Sequence, residues 1–310
     1  MRKFLEKTCH VYEWKGERRI PRETLLKEIK TVDGLLTTSA SGGYIDDELL
    51  MHAPRLKVIS NVSVGFNNFD IVAMNKRNII ATNTPNILNE TVADLAFALI
   101  LSTSRRIVEL DKFVKEGSWN LTSNYQDMYG KDVHSATLGI IGMGRIGEEI
   151  ARRAKFGFNM NVLYYNRNRK LEAEQKYDAR YCNLATLLAN SDYVVLVTPL
   201  TPETFQLLGE KEFKIMKKSA ILINVSRGQT VDEEALIRAL QNGEIYGAGL
   251  DVFEKEPVEH DNPLLKMTNV VTVPHIGSAT AKTEEEMAMR AAENLVAVLT
   301  GSEPQNRVGI

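Results

Sequence analysis

The sequence predicts an α/β protein made of two parallel-sheet domains. Three observations lead there. Short β-rich runs alternate with helical patterns along the chain. A turn of the form G-x-G-x-x-G joins a strand to a helix in the second half. The chain has 310 residues, which is long for one domain and suits about two.

In the first half, Arg2–Lys7 reads as a helix remnant. Cys9–Trp14, Gly34–Thr37, Leu56–Ser60 and Asn78–Ala81 read as strands. A doubly wound, flavodoxin-like domain of strand order 2-1-3-4-5 should open on a strand inside the sheet, and only four strands are visible. An empty interior place leaves neighbouring backbone groups unpaired, which is costly when buried. The expectation is a flavodoxin-like domain without its first strand, with a segment missing from the start of the sequence. A fold variant with a shorter sheet is the alternative. A long helix from Asn89 to about Lys115 then leads to the other domain, and a helix Thr283–Leu299, stopped by Gly301, leads back.

The second half is clearer. Thr137–Ile141, Asn161–Tyr165, Tyr193–Val197, Ala220–Asn224, Tyr246–Leu250 and Asn269–Val273 read as six strands. Arg145–Phe156 is a helix, and Asn183 caps a short one ending at Ala189. Asp232–Gln241 is another, with Thr230 and Glu233 spaced as a capping box and Gly243 at its end. Six strands with helices between them fit a Rossmann dinucleotide domain. The expected division is 1–90 with 283–310 as the substrate domain and 91–282 as the dinucleotide-binding domain, with a small-molecule cleft between them.

Composition excludes other classes. Lys and Arg number 38 against 40 Asp and Glu, a net charge of −2, so no basic excess points to nucleic acid or an anionic membrane. The most apolar run, Leu95–Leu101, is too short to span a bilayer. Two distant cysteines, Cys9 and Cys182, fit neither a disulfide framework nor a metal site and suit a reducing, cytoplasmic compartment.

The glycine turn is Gly142-Met-Gly144-Arg-Ile-Gly147. Gly142 permits the tight turn, Gly144 lets backbone approach a pyrophosphate, and Gly147 permits close helix–strand packing. The helix N-terminus offers free N–H groups and a positive dipole. The next strand ends where NAD sites usually carry an acidic residue for the ribose hydroxyls. Here the residues are Asn166-Arg167-Asn168-Arg169. Asn166 does not repel a 2′-phosphate, and Arg167, with Arg169 as a second candidate, can pair with one. The reading is a preference for NADPH over NADH. Solvated loop charges are the plainer alternative.

Three segments at strand ends carry the chemistry: Val225-Ser-Arg227-Gly228, Leu250-Asp251-Val-Phe-Glu-Lys-Glu256-Pro257 and Val273-Pro-His275-Ile-Gly277-Ser-Ala-Thr280. Ligands of α/β sheets bind at the carboxyl ends of strands. A histidine can give a proton near neutral pH, a carboxylate beside it favours the imidazolium and fixes the ring, and an arginine can hold a carboxylate and polarise a carbonyl.

These motifs resemble the D-isomer-specific 2-hydroxyacid dehydrogenase family, within it the glyoxylate/hydroxypyruvate and 2-ketogluconate reductase branch. Ser63–Asp70, Thr91–Leu95 and Lys155–Met160 add to the resemblance, which runs from about Gly34 to Leu299. It implies reduction of a small 2-keto acid to the D-2-hydroxy acid. Arg227, Glu256 and His275 are then the catalytic set, with His275 as general acid. The N–H groups of Val64 and Gly65, with Arg227 and His275, hold the substrate. Asp251 bonds the nicotinamide carboxamide, and Arg145, Ile146, Thr198 and Gly277 complete the cofactor contacts. Thr91 is similar to another cofactor-contacting position and equally suits a helix surface. No metal is implied.

The same family includes corepressors, so a dinucleotide-sensing interaction protein is the reading from another class; an NAD-dependent dehydrogenase of another substrate is the nearer alternative. The segment Ser104–Ser135, with Trp119, Tyr125 and Tyr129, corresponds to the arm through which the family forms homodimers, although aromatic residues fit a core equally well. Substrate choice should depend on the loop Ser39–Tyr44.

Overall fold

A computed structural model describes residues 1–16, 19–38 and 43–309. In chain order the described strands are β1 (Gly34–Thr37), β2 (Val58–Asn61), β3 (Ile80–Thr82), β4 (Thr137–Ile141), β5 (Asn161–Tyr165), β6 (Arg180–Tyr181), β7 (Tyr193–Leu196), β8 (Ile221–Asn224), β9 (Gly247–Leu250), β10 (Val270–Thr272) and β11 (Arg307–Val308). The chain divides into two compact units, Met1–Leu88 with Ala279–Ile310, and Asn89–Ser278.

In the first unit the sheet order is β1-β2-β3-β11. β1, β2 and β3 are parallel, and β11 closes the edge antiparallel to β3. Apolar layers cover both faces, as a parallel sheet requires. Ile29, Leu49, Ile59 and Met74 lie in one layer, and Leu5, Val58, Ala292 and Leu295 in the other. Asp46 and Asp70 start two short helices by accepting from Leu49 N and Ala73 N, each at 2.9 Å.

The segment Cys9–Trp14 is not a strand. Its residues run as irregular chain, with Tyr12 and Trp14 exposed, along a groove of about 740 Å³ beside β1. β-propensity reflects packing on a pleated surface, and without a ladder partner it is not realised. Arg2, bonded to Glu6 at 2.8 Å and Glu13 at 2.9 Å, ties the segment to the opening helix instead. The loop Ser39–Tyr44, expected to bear on substrate choice, lies largely outside the described residues, at 39–42.

The second unit holds a parallel sheet of order β10-β9-β8-β7-β4-β5-β6. It has one strand more than expected, the two-residue β6. The chain starts at central β4, winds out to β6, then returns to β7 on the other side. That reversal leaves a crevice at the carboxyl end of β4. Leu138, Ile140 and Ile141 on β4 are fully buried, as are Val194 and Leu196 on β7. The helix Arg145–Phe158 buries Gly147, Ile150, Ala151 and Ala154, a spacing of three and four that gives it one core-facing stripe.

Two helix expectations need correction. The run Asn89–Lys115 is two helices, Asn89–Ser104 and Ile107–Lys115. Arg106 breaks it with a left-handed φ of 55°, and its guanidinium bonds Glu109 (2.8 and 2.6 Å) and the carbonyls of Asp127 and Tyr129. Those tertiary bonds offset a conformation that a non-glycine residue disfavours. The helix Glu233–Gln241 is capped by Asp232, which accepts from Ala235 N at 2.9 Å. Thr230 is buried one turn earlier and donates to the Arg227 carbonyl at 2.6 Å, so the expected capping box from Thr230 does not form. No helix among the described residues is long and apolar enough to cross a membrane.

Candidate active site

The glycine turn lies at the end of β4. Gly142 has φ 109°, and its N–H donates to the Tyr165 carbonyl at 2.9 Å, tying the turn to the end of β5. A Cβ on Gly147 would fall 2.2 Å from the Gly142 carbonyl oxygen, so helix and turn approach as only glycine allows. Gly144, by contrast, faces open space. It is the N-cap of the helix Arg145–Phe158 and offers no side chain to the first turn, so the N–H groups at Arg145, Ile146 and Gly147 are left for an anion. Beside the turn, the Thr198 methyl lies 3.0 Å from where a Gly142 Cβ would stand, and the Thr198 hydroxyl is buried with no hydrogen-bond partner among the described residues. A buried hydroxyl with nothing to bond is costly. An open backbone cradle, an uncapped helix and an orphaned hydroxyl fit a dinucleotide.

The loop after β5 carries Asn166 and Arg167. The Asn166 amide donates to the Asn168 carbonyl at 2.9 Å, which shapes the turn, while Arg167 is exposed. Arg169 behaves differently. Its Nε and Nη2 both donate to Glu174, each at 2.7 Å. The Tyr164 hydroxyl donates to the same carboxylate at 2.7 Å and accepts from Lys170 N at 2.7 Å. The bonds from Arg169 and Tyr164 hold the Glu174 carboxyl down at about 2.

Arg227, Asp251, Glu256 and His275 follow β8, β9 and β10, neighbours in the sheet. His275 Nδ1 lies 2.7 Å from Glu256 Oε2. The other Glu256 oxygen accepts from Phe253 N at 3.1 Å. Burial pushes the Glu256 carboxyl up, but the His275 contact, the Phe253 N–H and the charge of Arg227 outweigh it, and the group ends below its ordinary value. Burial lowers Arg227, against the charges of Glu256 and Asp251 that favour its cation.

Asp251 is buried, with one carboxylate oxygen accepting from Ile276 N at 2.6 Å and the other from Gly277 N at 3.0 Å. Its carbonyl accepts from His275 N at 2.9 Å. Three bonds from one residue therefore hold the turn that presents His275, whose φ of 54° is left-handed. Burial pushes the Asp251 carboxyl up to about 6, against the pull of those N–H groups and of His275.

Two supporting roles escaped the sequence reading. Asn224 ends an otherwise apolar strand; its Oδ1 accepts from Ser226 N (3.0 Å) and Oγ (2.8 Å), and its Nδ2 donates to the Arg227 carbonyl (3.2 Å). A polar residue closing the run Ile-Leu-Ile was the available signal. Gly228 is the second: a Cβ there would lie 1.8 Å from the Phe253 carbonyl, so the loops bearing Arg227 and Glu256 are pressed together.

Val64 and Gly65 belong to the first unit, just after β2. Asn83 Nδ2 donates to the Val64 carbonyl and Asn61 Nδ2 to the Gly65 carbonyl, each at 2.8 Å. The turn is thus held by its carbonyls, and among the described residues neither of its two N–H groups has a bond.

The profile of D-isomer specific 2-hydroxyacid dehydrogenase, NAD binding domain, matches residues 97–277. Glyoxylate/hydroxypyruvate reductase B of Enterobacter sp. (strain 638) is 54% identical over 275 residues, 89% of this chain and 84% of the relative. Glyoxylate reductase of Pyrococcus horikoshii is 48% identical over 309 residues, 99% of this chain and 91% of the relative. Among solved structures, the NADPH-dependent glyoxylate/hydroxypyruvate reductase of Sinorhizobium meliloti, in complex with NADP and malonate, superposes with a TM-score of 0.82 at 32% identity, covering 91% of this chain and 85% of that one. A match over more than half of the chain, joined to relatives near half identity along nearly all of it, places this protein in the D-isomer-specific 2-hydroxyacid dehydrogenase family.

Proposed function

We propose that the chain is an NADPH-dependent reductase converting glyoxylate and hydroxypyruvate to their 2-hydroxy acids, the D isomer where the product is chiral. The observation that carries this is the His275–Glu256 contact of 2.7 Å on strand ends adjoining the Arg227 loop. The names of the Enterobacter and Pyrococcus relatives support the substrates.

A bound reduced nicotinamide supplies the hydride that the keto carbon accepts. The remaining work is the protein's. Ionised Glu256 can only accept, so Nδ1 of His275 carries a hydrogen toward it and Nε2 is left to give a proton to the keto oxygen. Glu256 holds the ring and steadies its cation. Arg227 grips the substrate carboxylate and draws charge toward the carbonyl oxygen. The N–H groups of Val64 and Gly65 are the proposed second grip on that carboxylate. Asp251, Thr198, Gly277 and the Gly142–Gly147 turn, including Arg145 and Ile146, bind the cofactor.

Asn166 and Arg167 favour NADPH: a neutral amide replaces the carboxylate that would repel a 2′-phosphate, and an exposed guanidinium is at hand for it. The unit Asn89–Ser278 is the dinucleotide-binding one and the other unit binds substrate. The exposed apolar arm after Ser104 is read as the interface of a homodimer. Two free cysteines suit the cytoplasm.

The test is NADPH oxidation with glyoxylate, hydroxypyruvate and 2-ketogluconate, by wild type and by His275→Ala. Turnover on the first two, lost in the variant, is expected. Tight NADPH binding with no turnover on any 2-keto acid would turn the reading toward a dinucleotide sensor.

A further inference from the structure

We propose that Glu174, with Arg169 and Tyr164, is a positioning clasp that sets cofactor choice through Arg167, and that Arg169 does not itself read the 2′-phosphate. The proposal rests on the NADPH reading above and deepens it.

The clasp closes a turn at its base. Tyr164 is fully buried on β5, with its hydroxyl joined to Lys170 N and to Glu174 Oε1, each at 2.7 Å. Between those ends lie Asn166 and Arg167. A hydroxyl that both donates and accepts fixes the two ends of the loop relative to the strand, and the Tyr181 ring packs edge-on against Tyr164 at 5.4 Å. Glu174 receives three donors: Nε and Nη2 of Arg169 and the Tyr164 hydroxyl. The Glu174 side chain is only 16% exposed although Arg169 is 60% exposed. An arginine in that fork-to-fork geometry has its Nε/Nη2 edge filled and its charge offset by a carboxylate that stays ionised at every physiological pH, which leaves only its Nη1 side open. Among the described residues no hydrogen bond or ion pair is found for the Arg167 side chain, whose charge is felt by the Glu203 carboxylate only as the weakest of several influences. Sequence alone offers two arginines for one phosphate. The geometry assigns one to the ligand and the other to the loop.

The two roles predict opposite behaviour when Glu174 loses its charge. Were Arg169 a second reader, Glu174→Gln would free it, and NADPH would bind as well or better. As a clasp, the same change lets the loop drift, and Arg167 loses its aim. The experiment is equilibrium fluorescence titration of NADPH and NADH with the full-length variants Glu174→Gln, Arg169→Met, Arg167→Met and the double variant Glu174→Gln/Arg167→Met, each checked for its melting temperature. Tyr164→Phe keeps the buried ring and removes only the hydroxyl, so it reports on the clasp should Glu174→Gln fold poorly.

Losing a charge-assisted bond corresponds to roughly 10- to 100-fold in affinity, so Arg167→Met should weaken NADPH by about that factor and NADH by less than about 2-fold. Glu174→Gln, Arg169→Met and Tyr164→Phe should each weaken NADPH by about 3- to 10-fold, again sparing NADH, because a loosened loop keeps part of the bond. In the Arg167→Met background, Glu174→Gln should add nothing, since residues acting through one contact are not additive. Unchanged or tighter NADPH binding in Glu174→Gln overturns the clasp, as does a full additional loss in the double variant. An unchanged NADPH-to-NADH ratio in Arg167→Met instead removes the cofactor reading on which the clasp rests.

Discussion

His275 and Glu256 meet through one nitrogen and one oxygen, Nδ1 to Oε2 at 2.7 Å, while the second Glu256 oxygen is occupied by the Phe253 N–H. The carboxylate is thus anchored by backbone on one side and orients the ring on the other. Proton donation by a positioned side chain contributes about 10²- to 10⁴-fold, so His275→Ala should lower kcat by about that factor in a steady-state assay. Glu256→Gln keeps the shape but leaves the tautomer unspecified, and a fall of about 10²-fold in kcat is expected, with cofactor affinity unchanged. Because the Glu256 carboxyl lies below its ordinary value, the stability it contributes is present above the unfolded-state value and lost as pH falls through the folded one. Melting temperature against pH should therefore fall less steeply on the acid side in Glu256→Gln than in wild type.

Among the described residues no carboxylate forms an ion pair with Arg227, which is held through its own carbonyl and the Ser226 carbonyl. Its carbonyl accepts from Asn224 and Thr230, and its Nη1 donates to the Ser226 carbonyl at 2.6 Å. Much of the guanidinium remains for a substrate. Arg227→Lys preserves charge and loses the fork, so kcat/KM for glyoxylate should drop by about 10²-fold or more, of the order seen when one preorganised donor to a developing oxyanion is removed. Asn224→Ala should show a milder loss by misplacing the same residue. Wild-type kcat/KM in Arg227→Lys would exclude a planar grip.

Asp251 gives the opposite pH sign from Glu256. Its folded value, about 6, lies above that of an unfolded aspartate, so the folded chain binds the extra proton and stability falls as pH rises through the interval from about 4 to about 6. Asp251→Asn should flatten that part of the stability profile, measured as melting temperature against pH. It should also cost activity. An amide has one oxygen for two N–H donors, so either Ile276 N or Gly277 N loses its partner. A lost bond to a charged group, about 1.5–3 kcal/mol, corresponds to roughly 10- to 100-fold in kcat if it is felt at His275.

The strands were legible wherever burial on both faces left an uninterrupted apolar run, as in Leu138–Ile141 or Ile221–Ile223. The candidate residues Arg227, Glu256 and His275 were legible as a group because they follow neighbouring strands. What the sequence could not show depends on partners, near or far in the chain, that only the fold brings together. Cys9–Trp14 has strand residues and no ladder partner. Arg106 breaks a helix with neither glycine nor proline present, on the strength of carbonyls more than twenty residues away. Arg169 is a second candidate beside Arg167 by sequence, and it is Glu174, one helical turn into the next element, that holds it. The first local preference fails for want of a partner, and the other two yield to a partner that no pattern in the sequence marks.

The helix Ile107–Lys115 buries none of its residues within the chain, and the arm that follows is equally open. Val108, Val114, Trp119, Leu121, Tyr125 and Tyr129 are all exposed, Leu121 fully so. So many exposed large apolar and aromatic side chains in one short segment are a common mark of an interaction surface, and aromatic residues are enriched at interfaces. The arm is not floppy, since Arg106 binds the carbonyls of Asp127 and Tyr129, and Tyr125 packs edge-on to Tyr129 at 5.7 Å. A preorganised apolar arm of this kind suits a second copy of the chain. Light scattering after size-exclusion chromatography should give a dimer for wild type. Trp119→Ala combined with Leu121→Asp should give a monomer, with the melting temperature lowered through loss of mass-action stabilisation. Arg106→Ala should weaken the dimer without touching any exposed apolar residue, because the arm loses its anchor. A wild-type mass equal to one chain at micromolar concentration would rule the arm out as a homodimer interface.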